Sequence, residues 1–539
     1  MKRFLSAGLL CLSLILIFAA VHLTADRYRY AGLCTDDPSF AAIKEGRTES
    51  GKELIRELKF GGYPLFHDET AGRWFYSVSG EDPETDPPLK YSAEDRSVRI
   101  AFSGSIRAGN TVPMIAYSTA EYKEYELVIT TLPLLSIECA DPAWFPESTV
   151  RETVPMKLTL FDNRPETLRP GTVSEGTVHI RGWSSKQYPK KGLRLTLTAP
   201  GTGRESHENQ TALLGLRPDG DWLLYAAYND QERVRNVFSS NLWMASCGTD
   251  NSFGLQNGME YHFVELFWNG RYWGLYALGY PVDTLRMRIS PDSQGHYDEF
   301  IFKQKEWGPD TASDDPEESG IYPEFEADPS DLNNGYGLLG NFFRLAEAKD
   351  PAALWHTDEA NAIDIWLFMK LIQPADSLNK AGQMKNMIFT VKKSDEGRKI
   401  LFTPWDMDIT WGNMLNNRYP NFTRPYALKA SNNNYEMTYD PVSWLVTRDK
   451  AILEQVKQRW TELRQTFWSE EQTGRMLDRL EAEIFGSGAY ARDIERWPDS
   501  SAEAPGDGLG TFRTYVFDRL RAMDDYITGL GTDNSNTLQ

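Results

Sequence analysis

The repeat of apolar residues along this 539-residue chain changes character once, and that change limits the folds open to it. Up to about residue 305 the chain alternates apolar and polar residues, as in Met156-Lys-Leu-Thr-Leu160, Gly176-Thr-Val-His-Ile180 and Leu193-Arg-Leu-Thr-Leu197. That period of two puts one face of a strand on a core. His262-Phe-Val-Glu-Leu-Phe-Trp268 and Tyr272-Trp-Gly-Leu-Tyr276 flank Asn269-Gly270, a hairpin signal because Asn and Gly tolerate positive φ. A single helical pattern, 234–246, interrupts these strands. The stretch 309–336 is acidic and rich in Pro, Asp and Gly, and reads as a surface loop. Helical periodicity then dominates, over 338–348, 358–372, 449–467, 470–485 and 511–528. Strands first and helices second predict an α+β fold of two lobes, with a ligand cleft between them.

Residues 29–133 carry short strand patterns at 74–79, 97–102 and 125–131, separated by clusters such as Gly80-Glu-Asp-Pro-Glu-Thr-Asp-Pro-Pro88. This predicts a small β-sandwich-like module, a spacer or surface element because it holds no reactive constellation. Residues 1–28 read as a signal peptide or a membrane anchor, since Lys2 and Arg3 precede an apolar run from about residue 4 to 25. Either reading leaves the rest exported, at the membrane or the cell surface. The tail 531–539 reads as disordered.

The chain carries 57 basic and 77 acidic residues, a net charge of −20, which repels nucleic acid and excludes it as a partner. Its four cysteines show no Cys-x-x-Cys or Cys/His ligand spacing, so a structural zinc site is not expected, while a Cys34–Cys139 disulfide stays open. The seven histidines form no metal or triad pattern. The absence of a Gly-x-Ser-x-Gly elbow and of a Walker-type Gly-Lys-Ser/Thr argues against common hydrolases and P-loop enzymes.

The chemistry concentrates in Asp376-Ser-Leu-Asn-Lys-Ala-Gly-Gln-Met-Lys-Asn386 and Pro404-Trp405-Asp406-Met407-Asp408. Phosphoryl transfer needs this inventory: a carboxylate for the attacking hydroxyl, and an Asn with an Asp to hold Mg²⁺ on the phosphates of a nucleotide. Asp376 is the candidate catalytic acid, placed in a loop because Pro374 ends the preceding helix. Asn386, Asp406 and Asp408 are the candidate metal ligands, although Asp406 also suits a turn and Asp408 a purely structural contact.

Five stretches, in order, resemble the CotH family, the spore-coat protein H kinase-like proteins. They are Ile180-Arg-Gly-Trp-Ser-Ser-Lys-Gln-Tyr-Pro-Lys-Lys-Gly-Leu-Arg-Leu195, Asp221 to Asp230 with Arg235-Asn236, Val264 to Tyr276, Asp376 to Asn386, and Phe402-Thr-Pro-Trp-Asp-Met-Asp408. The resemblance implies an atypical protein-kinase-like bilobal core over 134–530, using ATP and Mg²⁺ to phosphorylate Ser or Thr of an envelope or spore-coat protein. The Arg-Gly-x-Ser-Ser turn and the lysines after it make Arg181, Ser184, Ser185, Lys190 and Lys191 candidate nucleotide-binding residues, with Arg181 open to a structural anchoring role, and Lys303 on a separate strand-like piece joins them. The choice between Lys190 and Lys191 stays open, with strand alternation expected to send them to opposite faces. Lys303 stays open between cleft and solvent. Glu265 could pair with a phosphate-site lysine, but a solvent-facing strand position is the expectation. The family usually carries a Glu where this chain has Tyr280. That departure keeps a second reading in play, a non-catalytic scaffold or binding protein of the same fold. A third, transfer of AMP, would use the same acids.

Overall fold

A computed structural model describes residues 29–31, 40–60, 63–79, 89–93, 95, 97–104, 107–139, 141, 152–164, 167, 171–182, 185–198, 209–308, 324–330, 335–378, 382–413, 437–500 and 505–531. The N-terminal segment 1–28, residue Ser184 and the tail beyond 531 lie outside them. Among the described residues no helix is long and apolar enough to cross a membrane.

The alternating strands of the first half close into a barrel. Its seven strands are β1 (Leu134–Cys139), β2 (Val154–Phe161), β3 (Gly171–Ile180), β4 (Leu193–Thr198), β5 (Asp221–Tyr225), β6 (Tyr261–Trp268) and β7 (Arg271–Gly279), in the order β1-β2-β3-β4-β5-β7-β6. Neighbours are antiparallel except at the closure, where β6 runs parallel to β1 with Glu265 opposite Leu134. Closure removes the unpaired edges that an open sheet would expose. Every second side chain points inward: Leu158 and Leu160, then Leu193, Leu195 and Leu197, then Val264, Leu266 and Trp268 share one core. The β6–β7 hairpin turns on Asn269 and Gly270 with φ of 46° and 74°, as their side chains permit.

Between β5 and β6 the chain inserts α1 (Arg235–Ser246), whose Val237, Phe238, Leu242 and Trp243 join a second core shared with the rest of the chain. That core is roofed by a four-stranded sheet of β8 (Phe300–Gln304), β9 (Phe325–Asp328), β10 (Met387–Ser394) and β11 (Gly397–Pro404), ordered β9-β8-β10-β11. Strand β9 corrects the reading of 309–336 as an uninterrupted loop. Phe325 is buried while Glu326 is exposed, and such charge on an edge strand guards it against further pairing. The helices of this half are α2 (Gly335–Glu347), α3 (Glu359–Ile372), which packs on β11, α4 (Lys450–Gln465), α5 (Glu470–Glu481), α6 (Ala489–Arg496), which packs on barrel strand β7, and α7 (Gly510–Gly529). Helix α3 is apolar nearly all round, and residues 361–372 are all buried, as such a helix must be. Asp358 caps its start by accepting from Asn361 N at 3.1 Å. Gln373, at φ 51°, and Pro374 end it.

The described residues of 29–133 form two sheets, and Leu58, Tyr91, Trp74, Met114 and Leu127 share one core. The module is not loosely tethered. Phe75 stacks on Tyr272 at 5.1 Å and meets Phe267 edge-on at 4.9 Å, on the outside of the β6–β7 hairpin. Cys139 and Cys247 are buried free thiols, the Cys139 side chain belonging to the barrel core, while Cys34, its candidate disulfide partner, lies outside the described residues.

Candidate active site

Two loops meet beside the barrel to build the site. The first leaves α3 at Gln373 and carries Asp376; the second leaves β11 at Pro404 and carries Asp406 and Asp408. Backbone hydrogen bonds stitch them together: Ala375 N donates to Ile409 O at 3.0 Å, Trp411 N to Ile372 O at 2.7 Å. Asn386 directly precedes β10, whose first residue Met387 pairs with Pro404 at the end of β11, and Trp405 N donates to Asn386 O at 3.1 Å. Asn386 and Asp406 both hold left-handed backbone, with φ of 56° and 55°, a conformation Asn and Asp tolerate better than most residues. The Asn386 amide donates to Asp376 Oδ2 at 3.3 Å and to the Asp376 carbonyl at 3.2 Å, leaving its Oδ1 turned away from the acid.

The barrel side holds the second loop through α1. Met407 N donates to Asn236 Oδ1 at 2.9 Å, and Trp411 Nε1 to Ser239 Oγ at 2.9 Å. Asn229 hydrogen-bonds the Asp408 carboxylate. The segment that positions Asn229 and Asn236 is locked by a buried charge cluster, in which Arg235 pairs with Asp230 and Glu232 and its backbone N donates to Asp230 Oδ2 at 2.6 Å. Thus Asp230 and Arg235 are framework, and the two asparagines beside them reach the site.

The electrostatics are those of carboxylates crowded into a recess. Asp406 is open to solvent, yet enough protein surrounds it that desolvation pushes its carboxyl up; Arg181 opposes this, Asp376 adds to it and Lys385 opposes it again. Burial raises Asp408 well above the usual carboxylate range, and the Asp406 charge raises it further. The same acids reach Tyr188, whose hydroxyl is raised by burial and by Asp408, Asp406 and Asp376. Tyr188 stacks on Tyr228 at 5.0 Å, walling the site on the barrel side. Oxygen donors with surplus negative charge are what a hard divalent cation such as Mg²⁺ takes. Among the described residues no group of three or more His, Cys, Asp or Glu converges as a metal cluster, so the fitting set is two carboxylates and one amide.

The structure therefore brings Asp376, Asn386, Asp406, Asp408 and Arg181 together. Ser185 opens a one-turn helix, Ser185–Gln187, on the turn that leads to Tyr188. Gly182 in that turn has φ 102°, and a Cβ there would meet Ser185 Oγ at 2.0 Å, so only glycine fits.

The lysines depart from expectation. Lys190 and Lys191 precede β4 rather than lie in it, so alternation does not apply and both are buried. Lys190 Nζ donates to Asp493 Oδ1 at 2.7 Å and to Leu275 O at 2.5 Å, and lies 4.7 Å over the Tyr276 ring. Burial pushes its amine down to about 8 against the pull of Asp493. Lys191 donates to Tyr188 O, bracing the turn. Lys303, on β8, has its amine lowered by burial and feels Asp328, Arg194, Glu326 and Asp283 rather than the acids of the site. Glu265 is neither solvent-facing nor paired with a lysine: it is buried and receives Arg492 of α6 at 2.7 and 3.0 Å. Tyr280 is buried, accepting from Arg286 at 2.7 Å and donating to Glu260 at 2.5 Å.

Lys385 is the site residue the sequence reading passed over. Its Nζ lies 2.8 Å from Asp376 Oδ1 and 5.0 Å from the centre of the Trp307 ring. The one available signal was its place directly before Asn386.

No curated protein matches the chain. A family model described as CotH kinase protein matches residues 178–523, from within β3 to within α7 and so across every residue of the site. With more than half of its length matched by that model, the chain belongs to the CotH kinase protein family.

Proposed function

We propose that this protein is a kinase that transfers the γ-phosphoryl group of ATP to a Ser or Thr hydroxyl of a protein. The observation that carries this reading is the meeting of Asp376, Asn386, Asp406 and Asp408 in one solvent-reached recess, held from the barrel side by Asn229 and Asn236. Asp376 orients the acceptor hydroxyl and takes its proton. Asn386, Asp406 and Asp408 would hold Mg²⁺, which when bound neutralises charge on the nucleotide phosphates. Arg181 adds a positive charge beside Asp406. The Lys2-Arg3 pair with its apolar run supports an exported or membrane-anchored enzyme, acting on an envelope or coat protein.

The test is transfer from γ-labelled Mg-ATP to a Ser/Thr protein substrate, followed by mass spectrometry, with Asp376→Asn and Asp406→Asn beside the wild type. Label moving at wild-type rate in Asp406→Asn excludes this mechanism. A second reading, a scaffold that keeps the fold without transferring phosphate, draws on the engagement of Lys190 with Asp493 and on Tyr280 at the position of the family's Glu. Mg-nucleotide binding without transfer to any acceptor would favour it.

A further inference from the structure

We propose that Lys385 grips the phosphoryl group in flight, and that its contact with Asp376 keeps both residues idle until a nucleoside triphosphate enters. The inference rests on the kinase reading and deepens it.

Both oxygens of the candidate base are already engaged. Oδ1 receives the Lys385 ammonium at 2.8 Å and Oδ2 receives the Asn386 amide at 3.3 Å. With both oxygens held by protein donors, neither is open to an acceptor hydroxyl. Yet the pair is not sealed: the Lys385 and Asp376 side chains are 17% and 20% exposed. The buried pairs elsewhere differ sharply, since Lys190 and Asp493 are 0% exposed. That partial exposure lets an incoming anion reach the ammonium.

The surroundings favour an exchange over a rearrangement of the chain. The backbone on which Lys385 swings is pinned on both sides, by Lys385 N to Ser377 O at 3.2 Å and by Asn386 N to Gln304 O at 3.1 Å. The Trp307 ring, 5.0 Å from Nζ, gives the ammonium a π face along which to move while keeping an attractive contact. The other candidate lysines are held elsewhere: Lys190 by Asp493, Lys191 by Tyr188 O. A γ-phosphate brings about two negative charges to the recess and outcompetes a single carboxylate for the ammonium.

The steps then balance. Lys385 moves from Asp376 Oδ1 to a γ-phosphate oxygen. The acceptor hydroxyl oxygen forms its bond to the γ-phosphorus as the bond from that phosphorus to the β–γ bridging oxygen breaks. The electron pair of the broken bond leaves with ADP, and the hydroxyl proton goes to the freed Oδ1. ADP has no γ group to draw the ammonium away, so the Lys385–Asp376 contact persists with ADP bound.

The experiment uses the full chain with Lys385→Met and Lys385→Arg, measuring Mg-ADP and a non-hydrolysable Mg-ATP analogue by calorimetry, and transfer from Mg-ATP. The wild type is expected to prefer the ATP analogue over ADP by about tenfold or more, from one charge-assisted contact. Lys385→Met should abolish that preference while leaving ADP affinity within about twofold, which also shows that the variant is folded. Its kcat should fall by about 10²-fold, with Lys385→Arg recovering part of both losses. A Lys385→Met protein that keeps the wild-type ATP-to-ADP ratio and kcat overturns the inference and leaves the kinase reading standing. A wild type that binds neither nucleotide overturns the kinase reading and this inference together.

Discussion

The Lys190 ammonium and the Asp493 carboxylate meet at 2.7 Å inside the protein although 303 residues separate them. Arg233 Nε completes the cluster at 3.0 Å from Asp493 Oδ2, and Leu275 N donates to Asp493 Oδ1 at 2.9 Å. Asp493 is thus the shared anion of two buried cations. Asp493→Asn strands both, and should cost about 3–5 kcal/mol, as removal of one partner of a buried pair does. Lys190→Met leaves Asp493 with Arg233 and should cost less. Urea unfolding of the two variants gives the order. A nucleotide-binding lysine at 190 would give the opposite pattern, lost affinity with stability retained.

Asn236 reaches from α1 to the backbone between the two acids of the second loop. Asn236→Ala leaves the buried Met407 N–H without its acceptor, at about 1–3 kcal/mol. Because the loop it releases aims Asp406 and Asp408, kcat should fall by about 10- to 100-fold in protein that remains folded. Steady-state kinetics beside a thermal melt separate the two effects.

At Gly182, φ 102° and the nearness of Ser185 Oγ each disfavour a side chain. Gly182→Ala should cost about 1–3 kcal/mol in backbone strain. The turn it distorts carries Tyr188 toward the acids, so nucleotide affinity should weaken by more than the stability loss explains, as calorimetry at a temperature well below the melt will show.

His262 of β6 supplies a pH signature. Burial, followed by the charges of Arg164 and Arg479, pushes its imidazole down to about 4 from an unfolded value near 6.5. The folded state therefore keeps it neutral where the unfolded state protonates it. Its contribution is whole above pH 6.5 and is lost as pH falls from 6.5 toward 4. The full span corresponds to about 3 kcal/mol. Denaturation at pH 7 and at pH 5 should show His262→Gln losing less stability on acidification than the wild type.

Local signals were legible and distant partnerships were not. The Asn269-Gly270 turn, the end of α3 at Pro374 and the strand leading to Asp406 each follow from a few adjacent residues, and each stands where those residues place it. Glu265 read as a surface residue because its partner, Arg492, lies 227 positions away on α6, a helix of eight residues that went unforeseen. That helix turns Arg492 and Asp493 inward, so charge sits where an apolar stripe would have announced it. Lys190 and Lys191 misled for a related reason: they lie ahead of the strand whose alternation was extended to them. Edge strand β9 was hidden by its own acidic residues. Lys385 was overlooked because its meaning depends on Asp376 and Trp307, which the loops bring to it.

Helix α6 also sets an order of events. The ribosome delivers all seven barrel strands by Gly279, with Lys190, Arg233 and Glu265 already in place, but the side chains that neutralise them arrive only with Arg492 and Asp493. Until then the barrel must shelter two unmatched cations and an unmatched anion, which a dry interior does not tolerate. The nascent barrel accordingly stays loose while more than two hundred further residues are added, and tightens when the last part of the chain docks. A chain cut short before α6 loses the neutralising charges of its first-made strands, so an incomplete translation product leaves itself open to proteases.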